Sequence, residues 1–150
     1  MQKAPFEENA NLQALRLISY HMKNKRENPL YALPPALRWT PIQEQIVHDP
    51  MYDAIPFSSL RDRLILCKDQ HDVVTLFRDF GEACTLHTRE GGDVLDPRNW
   101  ELSEPFLRKY YYVIDQEVID IANHWRRQRG DKRLELGQLL PPPATSRAYP

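Results

Sequence analysis

The sequence predicts a mainly α-helical single domain, and three observations carry that expectation. The chain has 150 residues, the length of one domain. Apolar residues recur at 3–4 spacing near both ends. Between those ends, thirteen prolines against five glycines cut the chain into short pieces, several of which open on helix-capping residues. Apolar content of 41% and a mean hydropathy of −0.63 fit one modest core with polar flanks.

From the N-terminus, the first expected element is a helix from Glu8 to Arg26. Leu12, Leu15, Ser19 and Met22 fall on one stripe, widened by Leu17, Ile18 and Tyr20. Two heptads with a serine in the seam suit a packing helix better than a coiled coil, although Leu12, Leu15 and Met22 offer a dimer face.

Residues 29–57 form a connector punctuated by Pro29, Pro34, Pro35, Pro41, Pro50 and Pro56. It carries Leu30, Tyr31, Leu33, Leu37, Trp39, Met51, Tyr52, Ile55 and Phe57, too many apolar anchors for a disordered linker. One short helix fits inside it. Thr40 supplies the N-cap, Pro41 the first helical position and Gln43 the capping box, and the helix must end before Asp49-Pro50.

Ser58 is expected to cap a helix starting near Ser59, with Leu60, Leu64 and Cys67 on one face and Ile65 beside them. Asp69 or Asp72 opens the next, burying Val73, Val74, Leu76, Phe77 and Phe80 and ending at Gly81. Residues 82–99 read as a loop with a short extended piece at Ala83–His87. A long C-terminal helix follows, capped by Ser103 and closed by Gly130. Its stripe runs through Phe106, Leu107, Tyr110, Tyr111, Ile114, Val118, Ile121, Ala122 and Trp125. The expected organisation is an N-terminal helix over 1–32, a helical domain over 33–130, and a disordered, proline-containing tail over 131–150, in which Leu134, Leu136, Leu139 and Leu140 lead into Pro141-Pro142-Pro143.

Charge and chemistry narrow the function. Twenty basic and twenty-one acidic residues give a net charge of −1, so no global field draws in nucleic acid or an anionic membrane. Two cysteines, Cys67 and Cys84, are too few for a disulfide scaffold and point to a reducing compartment. No apolar run reaches the roughly 18–20 residues of a membrane span, and no signal peptide opens the chain, so a soluble intracellular protein is expected.

His48, Asp49 and Asp53 cluster in sequence, but no histidine pair has i, i+4 spacing and neither cysteine belongs to a C-x-x-C pair, so no metal site is expected. There is no nucleophile elbow and no phosphate-cradling glycine loop, and no carboxylate pair stands out for acid–base work. No cofactor and no catalytic residue is expected. Residues 126–150 hold six Lys or Arg against two acids, about +4, which leaves about −5 for the remainder. Within them Arg126, Arg127, Arg129, Lys132 and Arg133 make a candidate nuclear-localisation patch, although three arginines at a helix end also answer its dipole. With no basic helix feeding heptads, direct nucleic-acid binding is not expected. On a continuous helix Tyr110, Tyr111 and Tyr112 diverge by about 100° each, which argues for core packing over an aromatic cage.

Two blocks then stand out in order. The first is His48-Asp49-Pro50, Asp53, Ile55-Pro56-Phe57 and Leu60-Arg61-Asp62. The second is Asp93, Asp96-Pro97, Trp100-Glu101, Ser103-Glu104, Phe106-Leu107-Arg108-Lys109, Asn123-His124-Trp125-Arg126 and Arg129-Gly130. Over about Leu33 to Gly130 this order resembles the domain of unknown function that follows the basic-leucine-zipper region in many fungal transcription factors. Leu86-His87-Thr88 and Tyr110-Tyr111-Tyr112 stand where family members usually carry tryptophans. Residues 1–32 hold Lys23, Lys25 and Arg26 but no asparagine-anchored basic region. The resemblance implies a regulator-type module in a fungal nucleus, with the cytoplasm the alternative, lacking the part that binds DNA. It carries no established catalytic residues.

The expected function is thus a non-enzymatic regulatory or protein-interaction module, working through a homodimer or a protein partner and not through a membrane. His48, Asp53, Arg61, Asp62, Trp100, Glu101, Trp125 and Arg126 are its candidate polar network, with Arg61 or Arg126 pairing to Asp53, Asp62 or Glu101. The competing expectation is a small-molecule sensor with a pocket beside the C-terminal helix, lined by His48, Asp53, Arg61, Trp100 and Trp125. An enzyme would need a cleft with a strongly perturbed titratable group.

Overall fold

The computed structural model describes residues 5–89 and 92–141, with side chains from Ala10 onward. It is mainly α, a single domain of six helices and one two-stranded sheet among the described residues. The helices are α1 (Pro5–Glu27), α2 (Pro41–Gln45), α3 (Ser58–Leu66), α4 (Val73–Ala83), α5 (Glu104–Lys109) and α6 (Gln116–Arg129), and the strands are β1 (Cys84–Leu86) and β2 (Trp100–Leu102).

Helix α1 buries Ala10, Ala14 and Ile18, an i, i+4, i+8 row, against β1 and the 3-10 turn Pro50–Ala54. The expected stripe lies elsewhere on the helix. Leu12 and Leu15 stay exposed, and Met22 is half-buried. Two alanines let the α1 backbone approach the core closely, which turns the larger leucines outward.

The connector is ordered and draped on the core. Leu33, Leu37, Tyr52, Ile55 and Phe57 are buried. Helix α2 is capped as its sequence demands, with the Thr40 hydroxyl accepting from the Gln43 amide and the Gln43 side chain accepting from the Thr40 amide. Helix α3 starts one residue early, after Phe57, and no side chain caps it. Buried Pro56 and Phe57 fix its entry instead, and the Ser59 hydroxyl is left buried without a partner.

Asp72 caps α4 through the Thr75 amide. Gly81 lies inside α4, because the helix ends only where β1 begins pairing. Val74 is exposed, while Leu76 and Phe80 take the core. The extended piece expected at Ala83–His87 is β1, and its partner β2 was not expected. The two run antiparallel with Thr85 opposite Glu101, and alternation puts buried Trp100 and Leu102 on one face and Glu101 on the other.

The long C-terminal helix is two helices. After α5 the chain makes a 3-10 turn, Tyr111–Val113, extends at Ile114, and restarts α6 with Asp115 accepting from the Val118 amide. The apolar rhythm survives the break because Tyr110, Val113, Ile114, Val118 and Ile119 still face the core. Gly130 ends α6 in the left-handed region at φ 77°, with Asp131 N–H donating to the Arg126 carbonyl across the cap. Residues 131–141 do not form a loose tail. Leu134 and Leu139 are buried, and Asn123 of α6 holds the Leu134 backbone through both its N–H and its carbonyl. Residues 142–150 lie outside the described residues.

Candidate functional site

The expected polar network divides into two clusters. The first is built on Arg61, carried into the core by α3 and with no exposed surface. Its guanidinium donates to the backbone carbonyls of Ala36, Arg38 and Ile55 and, through Nε, to Gln43 Oε1 at 2.9 Å. No carboxylate among the described residues bonds to it directly, contrary to the expected pairing. Gln43 acts as the relay, because its amide nitrogen donates to Asp53 Oδ1 at 2.9 Å while its oxygen takes Arg61 and the Thr40 amide. His48 closes the cluster, with Nε2 2.7 Å from Asp53 Oδ1 and Nδ1 2.6 Å from the Ile46 carbonyl. Asp62 accepts from the Thr40 hydroxyl. Burial lowers the Arg61 pKa, with Asp62 and Asp53 pulling it back. A cation so placed pins three carbonyls of the connector to α3, a fixed geometry that five donors in one plane suit.

The second cluster joins β2 to the end of α6. Glu101 receives Arg129 in a two-pronged pair at 2.6 and 2.8 Å, and His87 Nε2 lies 2.8 Å from its Oε1. Trp125 stacks on His87 with centroids 4.0 Å apart and planes 10° off parallel, and its indole N–H donates to the Arg98 carbonyl. Trp100 is buried and donates to the Val94 carbonyl. Burial raises the Glu101 carboxyl, but hydrogen bonds from Arg129 and His87 and their charge outweigh it and bring it down to about 2. Arg126 pairs with no carboxylate among the described residues and instead donates to the Lys132 carbonyl.

A third cluster lay outside the expected set. The helix break lets Tyr110 and Tyr112 both approach His71, each with ring centroids 6.3 Å away, which a continuous helix would forbid. Tyr52 and Tyr112 place their hydroxyls 2.8 and 3.3 Å from the two His71 nitrogens, and Tyr110 donates to Asp79, which Lys109 also reaches. Burial lowers His71 and raises all three of these tyrosines. Spacing on an unbroken helix cannot bring these rings together, so only the break between α5 and α6 reveals the grouping; Gln43 and Arg129 carry a sequence signal, but one that a helix cap and a helix dipole account for equally well.

The basic stretch is partly neutralised. Arg129 pairs with Glu101 and Asp131, and Arg133 with Glu135, leaving Arg127 and Lys132 exposed without an ion pair among the described residues. No group of three or more metal-ligating side chains is found among the described residues, and no helix among them is long and apolar enough to cross a membrane. Several clefts open on the surface, and two bear on the expected pocket. One, of about 500 Å³, lies where the end of α1 meets the connector, and Asp53 is its one member of the expected pocket set. The other, of about 360 Å³, includes Glu117 of α6 but none of the expected pocket residues.

Residues 16–122 match the model of a family described as Domain of unknown function (DUF3425). The match starts within α1 and stops within α6, so it spans both polar clusters except Trp125, Arg126 and Arg129. No curated protein and no solved structure gives a significant match.

Proposed function

This chain belongs to the DUF3425 family, and on that premise we propose that it is a non-enzymatic regulatory or protein-interaction module of a fungal transcription-factor-like protein. The fungal and zipper-associated context rests on the ordered blocks from His48 to Gly130. The module acts in the nucleus, with Arg127 and Lys132 the accessible part of its basic patch. It does not itself read a DNA sequence. The observation that carries an interaction role is on α1, where Leu12 is 46% and Leu15 62% exposed on a helix that already buries its other face. The occupant is a second copy of the chain, seated by those leucines.

Sedimentation equilibrium tests this. A dimer is expected for the native chain, and L12A/L15A should shift it toward monomer with the helical circular dichroism unchanged, because neither side chain supports the core. A native chain that stays monomeric at high concentration, or a dimer indifferent to the double substitution, would refute self-association through α1.

A further inference from the structure

The cleft between the end of α1 and the connector has features that the self-association surface does not use. Its volume of about 500 Å³ falls within the span of small-molecule sites. Buried Leu33 and Leu37, half-buried Met22 and the ring of Trp39 make its lining mostly apolar. Asp53 is set into that lining with only about a tenth of its side chain exposed. Its Oδ1 receives both Gln43 and His48, whereas Oδ2 receives no hydrogen bond from the described residues. Asp53 is a lining residue of the cleft, and its side chain keeps a small exposed fraction. A carboxylate oxygen held against apolar walls is stabilised by a charged donor.

Lys25 and Arg26 balance Asp53 and Glu44 in the lining, so the preference for a cation rests on the placement of Asp53 and not on a net charge. Lys25 is held by the Pro29 carbonyl and lies 5.6 Å over Trp39, which shows that this ring face accepts a cation. Arg26 and Glu44 are exposed and opposite in sign, so the mouth has no net charge of its own from them.

We propose that this cleft binds a small organic amine, its ammonium hydrogen-bonded to Asp53 Oδ2 and its apolar body laid against Met22, Leu33, Leu37 and Trp39. The site is independent of the α1 leucines, so its failure would leave the self-association proposal standing.

The test is calorimetric titration of the full chain with phenethylamine, 2-phenylethanol and phenylacetate, which share an aromatic body and differ in charge. Phenethylamine should bind saturably, 2-phenylethanol at least about tenfold more weakly, and phenylacetate not measurably. D53N, which keeps an oxygen for Gln43 and His48, should weaken the amine by about tenfold or more. Because Asp53 also braces the Arg61 cluster, Met22→Trp serves as a second variant. It fills the cleft from α1 and should abolish binding while the fold persists. Equal binding of amine and alcohol, no amine binding at millimolar concentration, or native-like binding by a folded M22W would each overturn the proposal.

Discussion

Arg61 and Arg129 both tie distant stretches of chain together, yet their surroundings differ in almost every respect. Arg61 has no exposed surface, faces three backbone carbonyls and an amide, and is linked to Asp53 only through Gln43. Arg129 keeps 43% of its side chain exposed and grips Glu101 directly. Burial lowers the pKa of the first, and the Glu101 bond raises that of the second. The difference teaches which of the two is structural in the strong sense. Removing Arg61 strands four acceptors at once, two of them in the buried residues Gln43 and Ile55, whereas removing Arg129 leaves Glu101 its bond to His87.

The largest expected effect follows from that contrast. Arg61→Met keeps much of the volume but leaves the carbonyls of Ala36, Arg38 and Ile55 and the Gln43 amide oxygen short of a donor. At about 1–3 kcal/mol per stranded buried group, a loss of about 4 kcal/mol or more is expected in urea unfolding. R61K should recover only part of it, because an ammonium lacks the planar fork. A near-native midpoint for R61M would erase the distinction between the two arginines.

Next comes the clamp on Glu101. A double-mutant cycle of E101Q with R129Q should give a coupling of about 1 kcal/mol, between the values for exposed pairs and buried ones. Its pH dependence has a definite sign. The folded carboxyl sits at about 2, below its ordinary 4.5, so its contribution is fully present above the ordinary value and is lost as pH falls from about 4.5 toward 2. The native chain should therefore lose more stability than E101Q across that window. Parallel acid-denaturation curves would show that the pair is not formed in solution.

The smallest effect concerns the helix that carries Arg129. Asp115→Ala removes the cap that restarts α6 and should cost about 1 kcal/mol, with faster amide hydrogen exchange in the first turn of α6. If α5 and α6 were one helix, the same substitution would be neutral or stabilising, so the measurement decides the break directly.

Much of the local structure was legible because its cause is local. Thr40, Pro41 and Gln43 specify α2 within four residues, Asp72 supplies a cap from its own side chain, and Gly130 takes a left-handed conformation that other residues adopt only with strain. Trp100, Glu101, Arg61 and Asp53 could be singled out as residues of an internal network because large polar side chains in apolar company need partners. Their partners could not be named. Arg61 bonds backbone carbonyls, which every residue carries and no sequence distinguishes, and Glu101 meets Arg129 across 28 positions. The buried face of α1 escapes the sequence for a related reason. Periodicity marks a stripe of leucines, but the core accepted the small row Ala10, Ala14 and Ile18, a choice made by the shape of the opposing β1 and Pro50–Ala54 surface.

By itself, then, the sequence determined a mainly helical domain, its caps, its ordered proline connector and the identity of the charged residues that must be satisfied. Tertiary structure alone decided that the last helix breaks at the tyrosines, that β1 finds β2, that Leu134 and Leu139 fold back as core, and that Asp53 comes to line an apolar cleft. Caps and turns are settled by bonds among neighbours in the chain. Burial and pairing are settled by which distant surfaces meet, and that is fixed only when the whole chain has closed on itself.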